Sequence, residues 1–336
     1  MLAFCARVWR ATNGSGGCSF RAAARIGLRA LPSLGVVVDI VTHGMMGVAI
    51  AGPWLGSHPA ASAGVILGSV IPDLDAFSRC FGKRAFLMWH QGWTHSLPGN
   101  TVVAILLWAC LNRACPELAP IAVGLLAGAA LHALLDLTNT YGVRILWPLT
   151  PKRYCWEWLF FIDSVVIVLT TVALGAFAWC RIQNREPWQS VSVGYVIALA
   201  GYISLKGLLR WRANGLCDGA VSIIPSAMWP WVFFVCQRHD SRVISQRLNV
   251  ITGQIATIAE MTIHDAEFRQ YVEPIPEFQA MSTLSPAYHI VESRQDGDRV
   301  VLQCRDLRII NFGTSFGRLD VILGPQHQVL SMDLHV

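Results

Sequence analysis

The chain has 336 residues, 54% of them hydrophobic and only 14% charged, with a net charge of +5. Soluble globular proteins carry about 25% charged residues, so the composition excludes an ordinary soluble protein over the whole length and points to membrane-embedded sequence. No Lys/Arg block is interleaved with aromatics, so no nucleic-acid partner is expected, and the ten cysteines, which include no CxxC pair, read as reduced packing residues.

In chain order, residues 1–37 hold five arginines and no acid. Charge without an apolar core suggests a disordered or interfacial extension. Apolar segments follow at roughly 38–55, 60–72, 97–112, 120–138, 158–180 and 190–209. A full span needs about 20 apolar residues. The last two segments meet that length; the first two are short, and Gly52-Pro53 divides them, as in a helical hairpin that enters only part of the bilayer. Residues 38–212 are therefore expected to form a helical membrane domain. If every segment crosses, the chain starts and ends on one side. That side receives nine lysines and arginines between Arg79 and Arg212 and the five of the N-terminus, against Arg113, Arg181 and Arg185 on the other. The positive-inside rule makes the first side cytoplasmic.

From 215 to 336 the composition turns ordinary, with alternating stretches at Arg299–Cys304 and Arg318–Leu323 and a polar helix near Ile263–Tyr271. The expected fold class is thus an all-α membrane bundle of four to six transmembrane or re-entrant helices with a small C-terminal α+β, mostly β, soluble domain. The histidines of this domain are expected to be surface or packing residues.

The chemistry lies in the apolar half. Before Asn214 there are eight acids, and five of them, Asp39, Asp73, Asp75, Asp136 and Asp163, fall at or near segment ends on the presumed cytoplasmic side. His43, His90, His95 and His132 join them there; His58 lies on the opposite side. Ionisable residues in apolar segments are costly and mark function by default. Asp39 and His43 are spaced i, i+4, as are His132 and Asp136, so each pair shares one helix face. Asp73 and Asp75, at i, i+2 in a turn, can reach one cation or bridge two. Taken singly, Asp39 and Asp163 read equally well as helix-start caps, and His90 as an interfacial residue. Four separate elements delivering His or Asp to one face favour a metal site. Nitrogen and oxygen ligands suit zinc, manganese or iron better than calcium. A transporter or metal-handling protein with an intramembrane His/Asp proton relay is the rival reading; the far side, nearly devoid of polar lining, leans toward an enzyme.

Four motifs resemble a known family. Val38-Asp39-Ile40-Val41-Thr42-His43-Gly44 looks like the "MDxxTHxxxG" opening of the YdjM family, and Gly68 to Asp75 like its "GxxxPDxD" element. His90 to Ser96 is similar to "HRxxTHS", and His132 to Asp136, followed by Tyr141-Gly142, to "HxxxDxxxxYG". Asp163 stands where the family tends to place another acid. These are inner-membrane proteins, also named LexA-binding, regarded as metal-dependent hydrolases. The resemblance implies His43, Asp73, His95, His132 and Asp136 as metal ligands, with zinc the first choice of divalent ion. Asp75 is then a bridging ligand or a base, and His90 a ligand-orienting group or proton donor. Asp39, Thr94, Tyr141 and Asp163 would fix ligand orientation. The implied partners are the lipid bilayer of a bacterial inner membrane and a small-molecule or lipid-derived substrate, with a phosphoester or phospholipid suggested by the loosely similar layout of zinc-dependent phospholipases C. Gln91 departs from the pattern, which often has arginine there.

The topology can be tested directly. Reporter fusions at Val336 and within 181–190 are expected to report opposite sides, the former cytoplasmic. A C-terminal fusion active only in the periplasm would sink the scheme.

Overall fold

A computed structural model describes residues 34–185, 188–309 and 316–335. The expectation for 1–37 lies, up to Ser33, outside the described residues; residues 34–37 open the first helix. That helix, α1 (Leu34–Ala51), ends where Gly52–Trp54 forms a 3-10 turn, and α2 (Pro59–Gly68) starts on proline. A 3-10 segment, Ile71–Phe81, leads into the short α3 (Lys83–Trp89) and then, through His90–His95, into α4 (Leu97–Ala114). Ser96 caps α4 by accepting from Gly99 N at 3.0 Å. Then come α5 (Pro120–Leu137), α6 (Ser164–Ile182), which Asp163 caps, and α7 (Gln189–Leu216).

Among the described residues, four stretches are long and apolar enough to cross a membrane: Pro59–Phe81, Pro116–Leu137, Ser164–Ile182 and Gln189–Leu216. Lys83–His95 and Leu97–Ala114, bent by 62°, would make a fifth. The chain thus has the expected membrane-helix layout followed by a β-rich portion. That portion holds two four-stranded antiparallel meanders: β1 (Ala220–Pro225), β2 (Val232–His239), β3 (Arg242–Asn249) and β4 (Ile255–Thr262), then β5 (Tyr288–Asp296), β6 (Arg299–Asp306), β7 (Arg318–Leu323) and β8 (Val329–His335). Two helices, α8 (Asp265–Val272) and α9 (Pro276–Leu284), lie between the sheets in sequence. The alternation read at 299–304 and 318–323 is the strict in/out burial of β6 and β7, paired through Leu302 and Val321.

Two packing features position the apolar half. The first is a glycine face. In α2, Gly64 and Gly68, and in α5, Gly124 and Gly128, are spaced four apart, and the two backbones touch through them. A methyl group on Gly64 would lie 2.9 Å from the Gly124 Cα, and one on Gly128 would lie 2.8 Å from the Ser69 nitrogen. Small residues four apart let membrane helices approach at backbone distance. The second is a shared core. Ala76, Phe86 and Leu87, from the 3-10 segment and α3, are buried with Phe278, Tyr288, Leu302 and Val321 of the β-rich half. The β strands are therefore built onto the helical part rather than tethered beside it.

Gly124→Val and Gly128→Val are expected to destabilise the bundle. Overpacking costs about 1–3 kcal/mol where side chains can yield, and here the obstacle is backbone. Thermal unfolding followed by size-exclusion chromatography in detergent checks this. Gly175→Ala, with open space around the position, should leave stability unchanged or slightly improved.

Candidate metal centre

The glycine face of α5 continues into chemistry. Gly124, Gly128, His132 and Asp136 follow one another at i+4, so they form one stripe along the helix. Where the stripe meets α2 it is glycine; one turn further on it is His132, facing the 3-10 segment that begins after α2. Asp73 comes from that segment, His95 from the bend before α4, and Asp39 with His43 from the first turns of α1.

These side chains converge. His95, His132, Asp73 and Asp136 are 0%, 0%, 1% and 2% exposed, and each can offer one atom within 4.8 Å of the others. A second such group, Asp39, His43 and Asp136, shares Asp136 with the first. Asp136 divides its oxygens between them: Oδ1 is 3.2 Å from His43 Nε2, and Oδ2 is 3.2 Å from His95 Nε2 and 3.6 Å from His132 Nε2. His43 and His132 stack with ring centroids 3.9 Å apart.

The hydrogen bonds behind the imidazoles define which nitrogens face inward. His132 Nδ1 lies 2.8 Å from the Ser69 carbonyl oxygen. A carbonyl only accepts, so Nδ1 carries the proton and Nε2 of the neutral ring presents its lone pair. His95 Nδ1 lies 2.9 Å from the Thr94 hydroxyl, which in turn donates to Asp75 Oδ2 at 2.5 Å. The hydroxyl hydrogen is thereby committed to Asp75, and His95 must donate to Thr94. Both Nε2 atoms, one from each ring, then meet at 3.1 Å. Around them stand Asp73 Oδ1, 3.3 Å from His132 and 3.5 Å from His95, and Asp136. Among the described residues, His43 Nδ1 and both Asp73 oxygens are buried without a well-formed hydrogen bond, the two Nε2 atoms being the partners nearest Asp73 Oδ1. Inward lone pairs and orphaned carboxylate oxygens are a donor set for a cation, and nitrogen with carboxylate oxygen is the chemistry of zinc and its neighbours.

Asp73 and Asp75, whose spacing allows them to reach one cation or bridge two, point in different directions. In a 3-10 segment residues i and i+2 are about 240° apart around the axis. Asp73 therefore faces the His/Asp group while Asp75 faces the His90–His95 bend. Asp75 Oδ1 accepts from His90 Nδ1 at 2.7 Å, and Oδ2 accepts from Gln91 N at 3.0 Å and from Thr94. The carboxylate stands behind His95 rather than beside it. His90 stacks on Phe86 at 4.7 Å, and its side chain keeps some exposure.

Other sequence candidates lie further out. Asp163 is engaged by Val165 N, Val166 N and the Tyr202 hydroxyl, at 3.0, 3.3 and 2.9 Å. Tyr141 packs under the Arg308 guanidinium at 5.0 Å, against the β-rich half. Conversely, residues given no role from sequence take part. Gln91 Nε2 donates to Asp136 Oδ2 at 3.4 Å, and the Ser69 carbonyl orients His132. Arg153 grips the His90 and Gly142 carbonyls at 2.9 and 2.8 Å. Burial, with the adjacent Arg144 charge, pushes its pKa down to about 10, which leaves it charged at neutral pH. Ser69 and Gln91 sit inside motifs already singled out; Arg153 carries no such signal.

Residues 38–211 match the family described as YdjM inner membrane protein. The chain belongs to this family. It is also 29% identical over 187 residues to the uncharacterized protein YfhP of Bacillus subtilis (strain 168), an alignment covering 52% of this chain and 55% of that protein. The chain thus spans about half the length of this curated relative. No solved structure matches. Every residue of the two His/Asp groups lies within the stretch matched to the YdjM family, whereas both β sheets lie beyond it.

Proposed function

We propose that this YdjM-family protein is a metal-dependent hydrolase working at the boundary between membrane and cytoplasm, on an ester that is a phosphoester or lipid-derived. The observation that carries the reading is the meeting of His95 and His132 Nε2 at 3.1 Å beside carboxylates of Asp73 and Asp136, with the Asp73 oxygens otherwise unpartnered. With both imidazoles neutral, their inward lone pairs and the two carboxylates repel one another unless a cation or a proton lies among them.

Asp73, His95, His132 and Asp136 would hold one divalent ion, zinc being the first choice. Asp39, His43 and the second oxygen of Asp136 would hold another. A divalent ion held there would supply Lewis acidity, which acidifies water and polarises a carbonyl or phosphoryl group. The chain's own residues do the rest. Ser69 O holds His132 in its ligating tautomer, and the Asp75–Thr94 pair does the same for His95. Asp75 also fixes His90 through Nδ1, which leaves His90 Nε2 to carry a proton to or from the reacting group. His90 and Asp39 are the members of the set whose side chains keep exposure, 17% and 14%, and of these two His90 would meet the leaving group. Asp75 therefore orients, and His90 exchanges the proton.

Elemental analysis of detergent-purified protein tests the site. His132→Ala and Asp136→Ala should lose most bound metal, His43→Ala about half, and His58→Ala, on the opposite side, none. Wild type free of metal after metal-replete purification would refute the site. Metal retained without hydrolysis of any generic phosphoester or carboxylic ester would leave the site standing and remove the hydrolase.

Thr94→Val removes the hydroxyl that joins Asp75 to His95 while keeping the side chain's shape. Loss of such an orienting group typically costs about 10–100-fold in metal affinity, and competition with a chelator should show a fall of that size. An unchanged affinity would mean that His95 does not need this support.

A further inference from the structure

We propose that the tips of the β1–β2 and β3–β4 hairpins form a lipid-binding lip, which seats the first sheet in the headgroup layer of the bilayer that the helices cross. The lip consists of Met228, Trp229, Trp231 and Ile251, which are 67%, 51%, 36% and 60% exposed. The two tips are neighbours: Val250 N donates to Trp231 O at 2.9 Å.

Contacts with the helices set the depth of the lip. Ser164, the first residue of α6, donates through its backbone nitrogen to Ala227 O at 2.9 Å and through its hydroxyl to Met228 O at 3.3 Å. Lys206 of α7 donates to Pro230 O at 3.1 Å. The Tyr202 hydroxyl reaches Asp163, the cap of α6, at 2.9 Å, so Tyr202 lies within one side chain's length of the start of α6. Lys206 is one turn further out, about 6 Å at 1.5 Å per residue. The headgroup region beside the hydrocarbon core is about 5–8 Å deep on each face. A loop held between Ser164 and Lys206 therefore lies in that region, where tryptophan is favoured because its ring is apolar and its N–H is polar.

The distribution of side chains along the sheet agrees. In a meander the β1–β2 and β3–β4 turns share one end, and the β2–β3 turn occupies the other. That far turn is His239-Asp240-Ser241-Arg242, with no apolar side chain. Of the exposed large apolar side chains of this sheet, Met228, Trp229, Trp231, Ile251 and Ile255 lie at or next to the end that touches α6 and α7, and Ile258 lies along β4. Four adjacent large ones left in water would be an aggregation hazard; lipid covers them without another protein. The proposal is independent of the metal centre and of which side is cytoplasmic.

The test uses the full chain in nanodiscs of phosphatidylcholine and phosphatidylglycerol doped with a phospholipid bearing a diazirine near its headgroup. After irradiation, mass spectrometry should find lipid adducts on peptides covering 226–232 and 249–255, together with α6 and α7, and none on 238–242. In the same discs, hydroxyl-radical oxidation of Met228 should be several-fold slower than that of Met332, although Met332 is the less exposed in the fold, at 48% against 67%. Labelled helices with an unlabelled lip, and Met228 oxidised as fast as Met332, would overturn the proposal. So would protection seen only in discs holding two copies, which would give the patch to a second chain.

Discussion

Everything about the His/Asp group depends on two helix backbones lying against each other. Gly64 and Gly68 of α2 meet Gly124 and Gly128 of α5 with no room for a methyl group between them. Lipid tails are as apolar as the side chains, so burial from water does not drive this pairing; close van der Waals contact does. The consequence is geometric. With the helices at backbone distance, the carbonyl of Ser69, one residue past Gly68, reaches the His132 ring, one turn past Gly128. Asp73, a few residues further on, then stands 3.3 Å from His132 Nε2. A bulky residue in the glycine face would move the two halves of the site apart by more than a hydrogen bond can span.

A site so placed needs support on its outer side, and the β-rich half provides it. Phe86 and Leu87 anchor α3 in the core of the second sheet, which fixes the path of the chain just before His90. Arg308, held by Asp306 at 2.9 Å, donates to Thr140 O at 2.8 Å and to Leu284 O at 3.1 Å. Thr140 lies four residues after Asp136, so a buried guanidinium ties the exit of α5 to the sheet. Glu157 completes the joint, accepting from Arg210 at the end of α7 and from Ser222 of β1. The brace thus joins residues near the cluster in sequence, such as Phe86 and Thr140, to residues of the β-rich half, such as Arg308 and Ser222.

Much of the layout was legible beforehand because the signals are local. Apolar runs of span length identify the helices regardless of partners. The i, i+4 pairs Asp39/His43 and His132/Asp136 follow from helical periodicity alone, and the alternation at Arg299–Cys304 follows from the pleat. Other signals are fainter. Gly64-xxx-Gly68 and Gly124-xxx-Gly128 announce a close helix contact, and α9 and the first sheet were hidden in sequence whose apolar residues are less regularly spaced.

The sequence by itself determined that the chain enters a membrane, that its histidines and aspartates gather at segment ends, and which helix faces carry them, because hydrophobicity and helical period act over a few residues. Only the tertiary structure decided that Asp73 and Asp75 part company, since a tight 3-10 segment and a wider turn aim an i, i+2 pair differently. Only the tertiary structure set the tautomers, because Ser69 O reaches His132 across 63 positions of chain and Asp75 reaches Thr94, the neighbour of His95, across 19. It alone gave Asp136 one oxygen for each group, because the position of a carboxylate between two neighbours depends on how three helices pack.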